Sequence, residues 1–134
     1  MLGDPAYREK LLPITGEIAE NIYNTAYKNH SLMNECERGV DDTTRVWWVQ
    51  AEAVVGFLNA WQKKPEETKY LDAAKDIWGY IKEYVIDKRE GSEWFWCVNA
   101  DGSPIHEPIV EPWKCPYHNG RMCMEVIRRL STQQ

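Results

Sequence analysis

The chain has 134 residues with a formal charge of -5, 43% hydrophobic and 28% charged side chains, and no long uncharged apolar run. Such a composition excludes a disordered chain and a membrane span, and it leaves room for one domain with a single core across residues 1–134. An acidic chain without a basic face makes a poor nucleic-acid binder, and the start MLGDPAYREK lacks the basic-then-apolar order of a secretion signal, so a cytoplasmic location is expected.

In chain order, residues 5–28 read as a first helix, because Ile14, Ile18, Ile22 and Ala26 recur at four-residue spacing. Pro13 lies inside that pattern, which predicts a break near Leu12 or a helix that begins with Pro13 in its first turn, with residues 1–12 loosely ordered. Residues 29–40 have no period and contain Gly39, so a loop is expected there, with a short strand near residues 32–35. Asp41, Asp42, Thr43 and Thr44 offer N-caps to a second helix at 44–63, apolar nearly all round and therefore enclosed on most sides. Pro65 stops it. A third, amphipathic helix at 66–87 carries Tyr70, Ala74, Ile77, Ile81, Tyr84 and Val85 on one stripe. EWFWCV (93–98) is β-prone, with Trp94 and Trp96 on one face, and residues 100–102 form a turn, together a short hairpin-like element. Prolines 104, 108, 112 and 116 keep the next segment irregular, and a last helix starts near Asn119 with Met122, Cys123, Val126, Ile127 and Leu130 inward. Arg128 and Arg129 complement its C-terminal end.

Enclosed and amphipathic helices thus alternate, the pattern of an α/α toroid in which an inner ring is wrapped by an outer one. Helices one and three are assigned to the outer ring, two and four to the inner. The fold class expected is all-α, an α/α toroid arrangement of about four helices with a short β-hairpin-like insertion. The loops entering the inner helices, 29–46 and 88–118, should open on one face and carry the chemistry.

Within the second helix, Trp47 and Gln50 lie three apart and Trp48 and Glu52 four apart, so each pair shares a helix face. A ring beside a polar group suits a sugar, which offers an apolar C–H face and hydroxyls. Glu52 on a buried helix is costly unless it is paired or faces a wet cavity, and the cavity is expected. The cysteines Cys36, Cys97, Cys115 and Cys123 have no paired spacing, so free thiols are expected, and zinc held by Cys97, Cys115, His118 and Cys123 is disfavoured because the spacing fits no common ligand set.

The runs WWVQAEAVVGFLNAW (47–61) and WKCPYHNGRMCMEVIRRL (113–130), separated by YLDAAKDIWGYIKEYVID and EWFW, closely resemble the C-terminal portion of the N-acylglucosamine and cellobiose 2-epimerase family. The resemblance covers residues 44–130 and implies an (α/α)6 barrel that moves a proton at sugar C2 without an obligatory metal; no cofactor or metal is expected. It implies that His118 is one of two acid/base histidines, a role that imidazole fills because it both accepts and donates near neutral pH. It implies too that Trp113 packs on the sugar. The second histidine, and an arginine and further histidines of earlier inner helices, are expected to belong to segments outside this chain, while His30 and His106 read as exposed loop residues. Gly120 stands where the family commonly has serine, which loosens the first turn of the last helix. The expected substrate-binding set is Trp47, Trp48, Gln50, Glu52 and Trp113, with His118 catalytic and a carbohydrate as ligand. The chain is expected to be incomplete and inactive alone, and its open apolar flanks to self-associate or to take up a complementary chain. A non-enzymatic carbohydrate-binding or interaction domain is the alternative.

Overall fold

A computed structural model describes residues 4–131. Its first helix, α1 (Pro5–Thr25), starts where Asp4 accepts a hydrogen bond from the Ala6 amide at 2.9 Å and Pro5 supplies a preset φ. The expected break at Pro13 is absent: α1 runs straight through it. A proline there removes one amide from the ladder, but this half of the helix is exposed, so solvent can satisfy the carbonyl left free.

The segment read as a loop with one short strand folds, together with residues 27–28 read as the end of the first helix, into two hairpins. β1 (Tyr27–Lys28) pairs with β2 (Ser31–Leu32), and β3 (Glu35–Glu37) with β4 (Val40–Asp42). Asn29 and His30, with φ of 51° and 65°, make the first turn; Arg38 and Gly39, at 52° and 81°, make the second. Two adjacent left-handed residues match the right-handed twist of a tight hairpin, a signal carried here by residues other than Asn-Gly. The description all-α therefore holds only in part.

After β5 (Arg45–Val46) comes α2 (Trp47–Lys63), which starts later than expected. Its N-cap Val46 makes no side-chain bond; instead the Trp47 amide donates to the Trp96 carbonyl at 3.0 Å, while Asp42 accepts from the Thr44 amide and hydroxyl. α3 (Lys69–Tyr80) continues into a wider π-type turn at Ile81–Val85, closed by the Ile86 amide on the Ile81 carbonyl. β6 (Cys97–Val98) lies between β5 and β7 (Pro104–Ile105), so the expected hairpin is real but anchored on the residues just before α2. Its turn needs Gly102: at φ 85° the position disfavours side chains, and a Cβ there would lie 2.4 Å from the Tyr84 ring. α4 (Tyr117–Ser131) starts two residues before Asn119 and so includes His118.

α2 is the hub. Trp47, Ala51, Val54, Val55, Phe57 and Leu58 are buried on it, against Tyr70, Ala73, Ala74 and Ile77 of α3 and Met122 of α4. Each large apolar side chain buried in this way stabilises the fold by about 1.5–3 kcal/mol. Only residues 64–68 join α2 to α3, and Phe57 stacks on Tyr70 near the start of α3, so the two helices form an antiparallel hairpin. α4 bonds to α2 through Glu52 at one end and through Asn59 and Gln62, reached by Arg129, at the other, so α2 and α4 run parallel. Their N-terminal ends consequently share one face of the molecule, as expected for two helices of one ring.

Buried polar side chains fix the loops to this frame. Arg45, 1% exposed, donates to the Ser31 hydroxyl at 2.7 Å and to the Thr43 carbonyl. Burial holds its guanidinium below the usual arginine range.

Candidate active site

His118 enters from the first turn of α4, directly after the proline-rich segment, where the Gly120 amide bonds the Pro116 carbonyl. Its Nδ1 lies 2.9 Å from Glu52 Oε1, and Arg121 Nη1 lies 2.6 Å from the other oxygen, Oε2. Arg121 follows His118 by three residues, so both project from the same face of α4 onto one carboxylate of α2. An ionised carboxylate only accepts, so in this contact His118 Nδ1 carries the proton and Nε2 is the acceptor nitrogen of the ring. About a third of each of the three side chains is exposed, enough to meet a ligand and little enough to keep the pair oriented.

Aromatic rings surround the imidazole. Trp47 stands edge-on at 6.4 Å, Trp48 is tilted at 5.7 Å and Tyr117 edge-on at 5.0 Å, measured between ring centroids. Trp47 is buried, packed at 4.8 Å on Trp96, and its Nε1 has no hydrogen-bond partner among the described residues. Trp48 is 42% exposed and, with Glu52, Ala53, Ile18 and Ile22, borders a groove of about 360 Å³ between α1 and α2. Trp113 is 83% exposed on a tight turn closed by reciprocal backbone bonds between Glu111 and Lys114.

Of the residues expected to meet a ligand, two require correction: Trp47, 2% exposed and packed on Trp96, belongs to the core and offers no open ring face, and Gln50 is spent on the backbone. Its side chain is fully buried and both ends of its amide are spent on the Leu32 backbone, Nε2 to the carbonyl and Oε1 from the amide, each at 2.8 Å. It serves as a strand partner for β2, because a lone strand edge buried against a helix must be satisfied by something. Glu52 does border a groove, but its carboxylate is committed to His118 and Arg121.

Three residues that shape the site escaped the sequence reading of it, Arg121, Glu93 and Asn119; Lys114, weighed from sequence as a partner for the developing charge, is instead buried in an ion pair. Lys114 has no exposed surface; its Nζ lies 2.7 Å from Glu93 Oε1 and 3.0 Å from the Ile109 carbonyl, and 5.6 Å from the Trp47 ring centre. Asn119 donates to Glu93 Oε2 at 2.8 Å, and its Oδ1 is buried without a hydrogen-bond partner among the described residues. Arg121 was findable, since a base three residues after a helix-entry histidine faces the same way. Glu93 and Lys114 sit in irregular segments where spacing carries no directional information.

His106 is exposed, as read, and His30 is a largely exposed turn residue that pairs with Asp76. Cys97 is buried, and burial, helped by Glu107 and Asp42, pushes its thiol above the usual range, so it is not poised as a nucleophile. Among the described residues no three His, Cys, Asp or Glu side chains are grouped so as to hold a metal ion, and no helix is long and apolar enough to cross a membrane. A larger groove of about 460 Å³, lined by Leu58, Trp61, Leu71, Trp78, Val126 and Ile127, is apolar nearly throughout and lies outside the histidine cluster.

Comparison with known proteins places this geometry in context. Residues 10–121 match the family described as N-acylglucosamine 2-epimerase (GlcNAc 2-epimerase). The chain is 52% identical over 130 residues to a cellobiose 2-epimerase of Ruminococcus albus and 48% identical over 128 residues to one of Eubacterium cellulosolvens, in each case over 96% of its own length. A solved structure of a sugar epimerase from a ruminal bacterium superposes with a TM-score of 0.92 at 51% identity, covering 96% of this chain and 33% of that one. The chain spans about a third of the length of the relatives it matches: 33% of the Ruminococcus protein and 31% of the Eubacterium one. These relatives are epimerases, so the alternative of a non-enzymatic module gains no support from them.

Proposed function

The chain belongs to the N-acylglucosamine 2-epimerase family, and on that premise we propose that it supplies one acid/base histidine and part of the aromatic wall of a sugar 2-epimerase site. The substrate class is an N-acylhexosamine or a cellobiose-type disaccharide, bound at the end of the toroid where α2 and α4 begin.

The chemistry follows from the groups present. A C2 proton next to an aldehyde is removable because the electron pair left behind delocalises onto the carbonyl oxygen, as an enediolate where C2 bears a hydroxyl and as an enolate where it bears an acylamino group. His118 Nε2 is the group that takes or returns that proton, with Glu52 holding Nδ1 and thereby the tautomer. Glu52 alone would repel the developing negative charge; Arg121 on its second oxygen offsets this, so the triad as a whole does not oppose the enediolate. Trp48 and Trp113 offer exposed ring faces for the sugar's C–H surface. Inversion needs a second base on the opposite face of C2, and this reading assigns it to the part of the toroid outside the third that the chain covers.

The observation that carries the proposal is the His118–Glu52–Arg121 arrangement beside Trp48. Its test is to mix the purified chain with the remaining two thirds of a cellobiose 2-epimerase and follow cellobiose by NMR. Neither part is expected to turn over alone, and the mixture is expected to do so. Robust conversion by the isolated 134 residues would overturn the division of the site; a well-folded mixture that neither binds nor converts N-acetylglucosamine or cellobiose would overturn the function.

A further inference from the structure

Glu93 is a single carboxylate that ties together three segments separated in sequence. One oxygen takes the Lys114 ammonium; the other takes the Asn119 amide and, at 3.1 Å, the Trp94 backbone N–H. Lys114 belongs to the tight turn that displays Trp113, and Asn119 is the neighbour of His118 in the first turn of α4. Trp94 leads to Trp96, whose carbonyl holds the first amide of α2. The Lys114 ammonium is wholly buried, with the Ile109 carbonyl and the Trp47 ring as its other neighbours.

A buried ion pair is a poor source of stability, because desolvating two charges costs about as much as their attraction returns, and an apolar pair of similar volume does as well. What a hydrogen-bonded pair supplies is direction: a carboxylate with both oxygens committed fixes the relative positions of everything it touches. The segment it fixes, residues 109–119, has no regular structure until α4 begins. Without Glu93, the helix start keeps the contacts of His118 and Arg121 with α2 but loses its tie to the segment that leads into β6.

We propose that Glu93, acting through Lys114 and Asn119, is a positioning residue for His118, setting the α4 entry so that Nδ1 meets Glu52 and Nε2 stays free. The inference rests on the acid/base reading of His118 given above, but it concerns the orientation of the ring and is measurable in the chain by itself. Glu93 does not touch the reacting atoms.

The test is 15N NMR of the histidine-labelled full chain at a pH well above the ordinary imidazole range, with Glu93→Gln and Asn119→Ala compared against the wild type. The wild type is expected to show His118 protonated at Nδ1. Each variant is expected to lower the Nδ1–H to Nε2–H ratio of His118 about five-fold, the scale of one weakened hydrogen bond, while His30 and His106 are unchanged. Asn119→Ala retains the Lys114–Glu93 pair and so keeps the test readable if the buried lysine unfolds Glu93→Gln. A variant that melts earlier yet leaves the His118 ratio unchanged overturns the positioning role and leaves the acid/base reading intact. A wild type without Nδ1–H on His118 overturns the Glu52 pairing, and the positioning role with it.

Discussion

Two histidine–carboxylate pairs sit on this molecule, and they differ in everything except the pair itself. His30 Nδ1 lies 2.8 Å from Asp76 and His118 Nδ1 lies 2.9 Å from Glu52. The His30 side chain is 74% exposed on a hairpin turn, and its carboxylate is shared with the Tyr27 hydroxyl, whose own ionisation is pushed above the usual range by burial and by Asp76. His118 is one-third exposed, ringed by Trp47, Trp48 and Tyr117, and its carboxylate is shared with a guanidinium. The first pair fastens a hairpin to α3. The second has aromatic rings around it, a charge-compensated partner and a second ring nitrogen with no hydrogen-bond partner among the described residues. A short His–carboxylate distance is therefore no sign of chemistry; the surroundings of the ring are.

The comparison breaks first, and most widely, at the two carboxylates. In the mixture of this chain with the remaining two thirds of a cellobiose 2-epimerase, Glu52→Gln is expected to lower kcat at least about a hundredfold, the scale of an acid/base contribution. Asp76→Asn should leave kcat within a factor of about two and lower only Tm. Equal losses from both would erase the distinction.

A second contrast concerns stability. Gln50→Leu removes both partners of the Leu32 backbone in a buried setting and is expected to cost about 2–4 kcal/mol in a denaturant titration. Trp113→Ala, on a ring almost wholly in solvent, is expected to cost less than about 0.5 kcal/mol. That same Trp113→Ala change should blunt the change in tryptophan fluorescence when cellobiose is added, whereas Gln50→Leu acts on folding alone.

Assembly gives a third. Leu11, Ile14 and Ile18 on α1, and Met124, Ile127 and Leu130 on α4, are exposed apolar residues beyond what a finished surface needs. Light scattering is expected to show a mass above that of one chain, falling toward one chain in Leu11→Glu with Ile127→Glu. A strictly monomeric wild type at high concentration would contradict this.

The smallest effect is expected at the junction of α1 and α3, where Glu20 accepts from Lys69 at 2.6 Å and from Tyr70 at 2.5 Å. These bonds, Lys69 first, lower the Glu20 carboxyl from its ordinary 4.5 to about 2. A depressed carboxylate stabilises the fold fully above its unfolded value and ceases to do so as pH falls through the folded one. Between pH 4.5 and about 2 the wild type should therefore lose stability that Glu20→Gln never had, and the two Tm curves should converge. Curves that stay parallel would remove Glu20 from the account.

Much of the fold was legible because it rests on periodicity. The enclosed α2 and the amphipathic α3 follow directly from spacing, and β6 from its β-prone run; of the α4 residues expected inward, Met122 is buried and Val126 half-buried, while Cys123, Ile127 and Leu130 are exposed, a correction to that reading. The hairpins at 27–42 were not legible: their turns use Asn29–His30 and Arg38–Gly39, and their strands are two or three residues long, too short to show alternation. The helix through Pro13 was misread because the proline rule assumes a buried ladder, whereas this stretch of α1 is wet. At the site, Trp48, Glu52 and His118 were reachable from helix geometry and family likeness. Gln50 was placed on the right helix and given the wrong task, since what its amide faces depends on a strand 18 residues earlier in the chain. Glu93 and Lys114 meet only through tertiary packing, so no local pattern announces them.

The most direct test of the account is solvent deuterium exchange at sugar C2, read by NMR in the mixture of this chain with the remaining two thirds of a cellobiose 2-epimerase. The account predicts that the wild type incorporates deuterium at C2, that His118→Ala reduces the rate at least about a hundredfold, and that His30→Ala leaves it unchanged. Exchange that persists in His118→Ala while the mixture stays assembled would contradict the claim that this histidine handles the C2 proton.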